Sequence, residues 1–473
     1  MPPTIAAVVF VLGILGLFML DRDRDVKTST ALWIPLLWLL INGSRPVSLW
    51  FESAQQMDTG DPYLDGSPFD RAVYLVLVIA ALLVLIRRWR QVPGFLRANA
   101  PIILFFLYCF ASIFWSDYTF VAFKRWTKAI GDIMMVMIVF TELEPDVALK
   151  RLLTRVSFVL VPLSVLFIKY YPELGRTFNQ WTWTYLYTGI STTKNGLGTI
   201  CLIYGLVPVW LFFVVYRDRE HPHRTRKLLA YTIVIAMVLW LFGTANSVTS
   251  ISCFVMASGF MMVTSMRAFD RKTSVVHLII AMMISLSLFA LFFDSGGNLV
   301  GSLGRDSTMT GRTGIWKAVL SVSGNPLVGT GFESFWLGER LQRVWSMTAK
   351  GIQEAHNGYL EMYLNLGWIG VGLLGVVILA GYRNALARFR NDPNAGRIAL
   401  AYFAVGVIYS FTEAGFRMMG PVWVAFLLGV LAVPAAPVPE SLSSFDIQLP
   451  DRLPEPKPQA QYVASSRLRK EIV

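Results

Sequence analysis

Apolar blocks of roughly 15 to 20 residues, almost free of charge, recur along most of this chain, as they do in proteins that cross a bilayer many times. Each block must satisfy its own backbone hydrogen bonds without water, so each is expected as a helix. Thirteen spans are read, near 3–20, 30–43, 72–87, 101–115, 129–141, 155–170, 196–216, 229–245, 248–266, 275–293, 357–381, 398–413 and 420–434. The shortest of them set the count at 12 to 13. The chain is 55% hydrophobic and 15% charged, with a mean hydropathy of +0.54. Soluble domains stand at about 45–50% apolar and about 25% charged, so a soluble fold is excluded. The expected fold is an all-α integral membrane protein. Its first span has neither a positively charged n-region nor an A-x-A-like site, so it reads as a retained helix.

Lys and Arg give the orientation. One set of connections, including "RRWRQVPGFLR", "RDREHPHRTRK" and the C-terminal tail, holds 27 of the 42 basic residues. That side is expected to be cytoplasmic, with the N-terminus periplasmic and the C-terminus inside. The net charge of +12 calls for no nucleic acid, because anionic lipid at the inner surface accounts for it. Cys109, Cys201 and Cys253 all fall in expected spans and form no metal-ligand spacing.

Residues 1–435 read as the polytopic membrane domain. Three outer segments are long: 44–71, 171–195 and, longest, 294–356. This last one is expected as a structured periplasmic loop between the tenth and eleventh spans. Within it "TGIWKAVLSVSG" sets Ile315, Trp316, Val319 and Leu320 on one helical face, the pattern of a short amphipathic helix on the membrane surface. The tail 436–473 is rich in Pro and Ser and reads as a disordered cytoplasmic extension. No internal repeat is found, which weighs against transporters built from duplicated halves.

The outer face carries Lys124, Arg125, Lys128, Arg176, Lys194, Arg305 and Arg312. "GSLGRDSTMTGRTGIW" places Arg305 and Arg312 on the approach to a helix N-terminus, where free N–H groups favour anions. "STTKNGLG" places Lys194 similarly. Guanidinium groups suit phosphate because they donate two parallel hydrogen bonds. The alternative reading is that these cations reach to lipid phosphate as interfacial anchors. His356 is the only histidine on the outer side. It ends the longest loop, at the mouth of a helix carrying Asn357, Glu361 and Asn365. That spacing makes a polar ridge which must line a cavity or pair inside the bundle.

These residues carry a family resemblance. "HNGYLEMYLNLGWIG" fits H-[N/S/Q]-x9-G-x-x-[G/T/Y] through His356, Asn357, Gly367 and Gly370, and so resembles the signature of the bacterial O-antigen ligase and Wzy-type polymerase family. "GRTGIW" followed by "NPLVGTGFESFW" is similar to the outer-loop segment before that histidine. "TTKNGLG" is similar to an element opening a middle span of the family's exopolysaccharide polymerases, with Thr193 where that element often has histidine. The likeness spans roughly residues 100–435.

The resemblance implies a glycan donor on undecaprenyl diphosphate, an acceptor that is another glycan or lipid A–core, and a place in the bacterial inner membrane among membrane lipids, with chain-length regulator proteins as further candidate partners. Transfer needs charge neutralisation for the departing diphosphate and a proton acceptor for the attacking hydroxyl. The first is expected from Arg312, Arg176, Lys194 and Arg305, and the second from His356, whose imidazole would sit near neutral pKa. Asn357, Glu361, Asn195 and Lys124 are expected in support. His356 positioning the acceptor, or binding phosphate, stays open. Direct displacement would invert the anomeric centre.

No metal and no cofactor is expected. The one Asp-x-Asp pattern, Asp21, Asp23 and Asp25, falls on the cytoplasmic side among arginines, and outer carboxylates such as Asp58 and Asp61 have no supporting pattern. A polymerase is favoured over a ligase. The reading from another class is a flippase for a lipid-linked sugar, which should place ionisable groups at the midplane of broken helices.

Overall fold

The computed structural model describes residues 1–23, 28–51, 66–179, 183–220, 223–293 and 308–433. Arg305, Asp25, Asp58, Asp61 and the tail 436–473 lie outside the described residues.

Every expected span falls on a helix, and among the described residues seven of these helices are long and apolar enough to cross a membrane. In chain order these are α1 (Pro3–Asp21), α2 (Trp33–Asn42), α3 (Pro68–Arg87), α4 (Val92–Ala98), α5 (Ala100–Ala111), α6 (Thr119–Phe140), α7 (Pro145–Tyr170), α8 (Lys194–Arg217), α9 (Arg224–Ala245), α10 (Val248–Ser265) and α11 (Thr273–Phe293). After α12 (Thr308–Ser321) and α13 (Gly338–Met347) come α14 (Gly358–Asn391), α15 (Pro393–Tyr409) and α16 (Pro421–Val430). α4 and α5 meet at a bend of 88° at Asn99. Between α7 and α8, β1 (Arg176–Asn179) pairs antiparallel with β2 (Thr184–Tyr187).

Burial sorts the helices. Most of α8 is buried, and it packs against α7, α9, α10 and α15 as the axis of the bundle. α1 buries little beyond Ala6 and Leu17, so nearly its whole surface is left for lipid. Helices end where polar caps stop them. Thr193 opens α8 by accepting from Gly196 N at 3.0 Å, and Asp392 opens α15 by accepting from Asn394 N at 2.8 Å.

α14 contains the break that builds the site. Its 34 residues would run about 50 Å at 1.5 Å each, well beyond a hydrocarbon core about 30 Å thick. At Gly367 the backbone turns to φ 64°, ψ −167°, a region open essentially to glycine alone. The break frees carbonyls on one side and N–H groups on the other, and the segment "NPLVGTG" fills both sets. Thr330 N donates to Leu364 O at 3.1 Å and Gly331 N to Asn365 O at 2.9 Å. Trp368 N donates to Pro326 O at 2.9 Å and Ile369 N to Leu327 O at 3.1 Å. A Cβ on Gly367 would stand 2.2 Å from Leu327 O, and one on Gly329 2.4 Å from the Asn365 backbone. These glycines are required by a loop wedged into a helix.

The segment before His356 has its own core of Val319, Phe335, Trp336, Leu341, Val344 and Leu364. The amphipathic face expected on the membrane surface turns inward instead. Val319 is fully buried, Ile315 and Trp316 pack beside it, and Leu320 remains exposed. The sequence shows an apolar stripe but not its partner, and here the partner is α13, itself amphipathic through Leu341 and Val344.

Candidate functional site

The three residues "HNG" divide their work. Asn357 caps α14, its Oδ1 accepting from Tyr359 N at 3.0 Å and Leu360 N at 2.9 Å. Its Nδ2 donates to Phe411 O at 3.1 Å, which ties the helix start to the turn after α15. Gly358 N donates to Ser410 O at 2.8 Å and Glu413 O at 3.0 Å, and a Cβ there would crowd Ser410 at 2.9 Å. His356 is held at φ 51°, a left-handed conformation costing a β-carbon-bearing residue roughly 1–2 kcal/mol. With its neighbours so anchored, its ring meets the 410–420 turn.

There Nδ1 lies 3.1 Å from Glu413 Oε2 and 3.1 Å from Glu354 Oε1. The far oxygen of Glu413 accepts from Arg312 Nη2 at 3.0 Å. The far oxygen of Glu354 stands 3.9 Å from Arg417 Nη1. Charges alternate along the chain Arg312, Glu413, His356, Glu354, Arg417. Burial opposes a charged ring at His356, but the two carboxylate hydrogen bonds outweigh it and push its pKa up to about 9. Burial also opposes charge on Glu354, and His356, Arg417 and Arg312 together hold it below the usual carboxylate range. The expected imidazole near neutral pKa is therefore an imidazolium, because two carboxylates face it. Among the described residues nothing hydrogen-bonds to Nε2.

Beside this chain is a cavity of about 330 Å³, lined in part by Thr193, Asn195, Thr199, Glu354, Glu413 and Arg417; His356 and Arg312 do not line it and reach it only through Glu354 and Glu413. Its floor is fixed by a buried carboxylate. Asp132, on α6, accepts from Trp38 Nε1 at 2.8 Å and from Met419 N at 2.8 Å, so α2, α6 and the Arg417 turn are joined at one point.

The structure brings His356, Arg312 and Asn357 together and sets Asn195 on the cavity wall. Lys194 opens α8 but is exposed and does not line that cavity. Arg176 serves elsewhere. Its Nε and Nη2 both donate to Ile168 O, at 3.0 and 2.7 Å, and its guanidinium lies over Tyr187, so it closes the end of α7. Lys124 lies over Phe120 at 5.0 Å. Glu361 is buried and accepts from Trp336 Nε1 at 2.9 Å and from Ala355 N. Asn365 Oδ1 accepts from Phe335 N at 3.1 Å. Glu361 and Asn365 therefore pair with the segment before His356 and fasten it to α14, instead of lining the cavity, while Asn357 caps α14.

Sequence reasoning missed Glu354, Glu413 and Arg417. Glu413 was read as the end of a span, yet α15 stops at Tyr409. "FTEAGFR" held the signal: an acid and a base four residues apart, between two apolar blocks. Glu354, His356 and Glu413 could together present three ligand atoms to a metal. The guanidinium groups of Arg312 and Arg417 already face the same carboxylates, and a metal would have to displace them and deprotonate the ring.

Residues 232–375 match the family model described as O-antigen ligase, a stretch running from α9 past His356 to the second half of α14. Over 329 residues the chain is 23% identical to the exopolysaccharide production protein ExoQ of Rhizobium meliloti (strain 1021), covering 68% of this chain and 72% of that protein.

Proposed function

We propose, from the match of residues 232–375 to the O-antigen ligase family model and the likeness to ExoQ, that the chain moves a glycan from undecaprenyl diphosphate to an acceptor hydroxyl at the periplasmic face of the bacterial inner membrane. The observation that carries this reading is the alternating chain Arg312–Glu413–His356–Glu354–Arg417 beside a cavity. The anomeric C–O bond to the diphosphate breaks, a glycosidic bond to the acceptor oxygen forms, and the lipid diphosphate departs. Arg312, Arg417 and the Nε2–H of the His356 imidazolium neutralise the charge that grows on the leaving oxygen. An imidazolium cannot take a second proton, so the base is a neighbouring carboxylate. Glu354 lines the cavity, is paired with Arg417 only at 3.9 Å, and receives the acceptor's proton. His356 thus moves from the expected base to the cationic partner of the diphosphate. Arg176 and Lys194 are not needed for this step. The transfer is direct, inverting and independent of metal.

Polymerisation of repeat units is the favoured outcome, since ExoQ is named for exopolysaccharide production. Transfer to lipid A–core is the second reading, favoured by the description of the matching family model. Product analysis in cells separates them: longer lipid-linked chains mark a polymerase, and glycan on lipid A marks a ligase. In the same cells His356→Ala should leave lipid-linked donor outside but untransferred. Donor stranded on the inner face would instead mark a flippase.

A further inference from the structure

We propose that a second cavity, at the end of the bundle opposite His356, binds one anionic lipid by its headgroup. Helix direction places it there: α8 runs from the cavity lined by Glu354 and Glu413 to Arg217, α9 returns from that far end, and α7 begins there. The cavity measures about 600 Å³. One wall is basic, with Lys150, Arg151 and Arg155 on consecutive turns of α7 and Lys227 at the start of α9. The other is apolar, with Phe18 of α1 and Leu36 and Leu40 of α2.

The carboxylates in the cavity offset only part of the basic wall, through Lys227 and Lys150. Asp21 accepts from Tyr231 Oη, and Asp23 faces the buried Lys227 at 3.4 Å. Among the described residues Lys150 and Arg155 have no carboxylate partner within ion-pair distance, and Arg155 lies over the ring of Trp33, 5.5 Å from its centroid. Among the described residues, cations outnumber anions on the lining by five to two, counting Arg22 with the four above. A charge excess of that sign beside an apolar wall fits a ligand carrying both an anionic head and a hydrocarbon tail. The continuation of the apolar wall supports the tail. Leu40 and Val159 also line a neighbouring, almost wholly apolar cavity of about 380 Å³ that extends along α2 and α7. The distribution of Lys and Arg assigns this end to the cytoplasmic face, where anionic lipids concentrate. Nothing in this inference depends on the transfer chemistry.

Native mass spectrometry of the full-length protein in detergent tests it, with phosphatidylglycerol and phosphatidylcholine of identical acyl chains as probes. One phosphatidylglycerol should be retained in preference to phosphatidylcholine. Lys150→Gln with Arg155→Gln should weaken that retention about thirtyfold, since each cation strengthens binding to an anionic headgroup about fivefold. Leu40→Trp, which fills the apolar side and leaves the charges in place, should weaken it independently. Inorganic phosphate should not displace the lipid; displacement would recast the cavity as a site for a soluble anion and overturn the proposal. Equal retention of both lipids by the wild type, or undiminished phosphatidylglycerol in the folded variants, would overturn it as well. Should one variant fail to fold, the other and the wild-type preference still decide.

Discussion

His356 Nδ1 stands 3.1 Å from Glu413 Oε2, and the other oxygen of that carboxylate holds Arg312 at 3.0 Å. One carboxylate therefore joins two cations contributed by distant parts of the sequence. Glu354 repeats the arrangement on the other side of the ring, with Arg417 as its second cation. The net charge of the five groups is +1 while the ring is protonated, and a diphosphate is a fitting counterion.

The pH dependence of turnover follows from the ring. With a folded pKa of about 9, His356 is charged across neutral pH. Turnover should hold level from pH 6.5 to 8 and fall as pH rises through about 9. A neutral-base role requires the opposite, activity rising through that pH. Stability obeys the same sign. The stabilising contribution of the charged ring is complete below its unfolded value near 6.5 and disappears as pH rises through the folded value. The melting-temperature gap between wild type and His356→Gln should therefore narrow between pH 6.5 and 9.5.

Arg312→Lys keeps the charge and loses the planar fork. A hydrogen bond to a charged group is worth about 1.5–3 kcal/mol, so turnover should fall roughly 10- to 100-fold with the fold intact. Arg417→Gln should produce a loss of the same order. Arg176→Lys should leave the donor KM unchanged and act on stability alone, because its guanidinium serves the Ile168 carbonyl. Donor titrations on the three variants check this.

Gly367→Ala tests the wedge. The backbone conformation there is closed to alanine, and the added carbon would meet Leu327 O at 2.2 Å. A cost of about 3 kcal/mol is expected from strain at such a position. Thermal unfolding in detergent should show the loss, and limited proteolysis should show the segment between α12 and α14 released first. Gly372→Ala, where a Cβ meets nothing within 4 Å, is the control and should be near neutral.

The sequence made the helices legible because a bilayer admits so few backbone solutions that apolar blocks translate directly into spans. His356 and Arg312 were legible because charged groups among glycines at helix mouths are costly unless used. Arg176 stood out for the same reason and proved to be a helix-terminating hydrogen bonder, since a cation's partner is not written beside it. Glu413 and Arg417 were obscured by the opposite effect. The apolar block before them was long enough to absorb Glu413 into a span and leave Arg417 in the short gap after it, and only the end of α15 at Tyr409 reveals the turn they occupy. The ridge of Asn357, Glu361 and Asn365 was expected to line a cavity or pair inside the bundle; Glu361 and Asn365 pair with Trp336 and Phe335, in a segment whose docking no periodicity encodes.

Metal independence is open to a direct check. Arg312 and Arg417 neutralise the carboxylates that a divalent ion would need, so a chelator should leave turnover of the purified protein unchanged. Loss of turnover restored by Mg²⁺ or Mn²⁺ would reassign Glu354, His356 and Glu413 as metal ligands.

The most direct test is transfer itself, with purified protein and a defined undecaprenyl-diphosphate oligosaccharide as both donor and acceptor. The wild type should release undecaprenyl diphosphate and extend the chain with inversion at the new anomeric bond, while Glu354→Gln and His356→Ala each abolish release although the donor still binds. Undiminished release by either variant, or a product that retains configuration, would contradict the account.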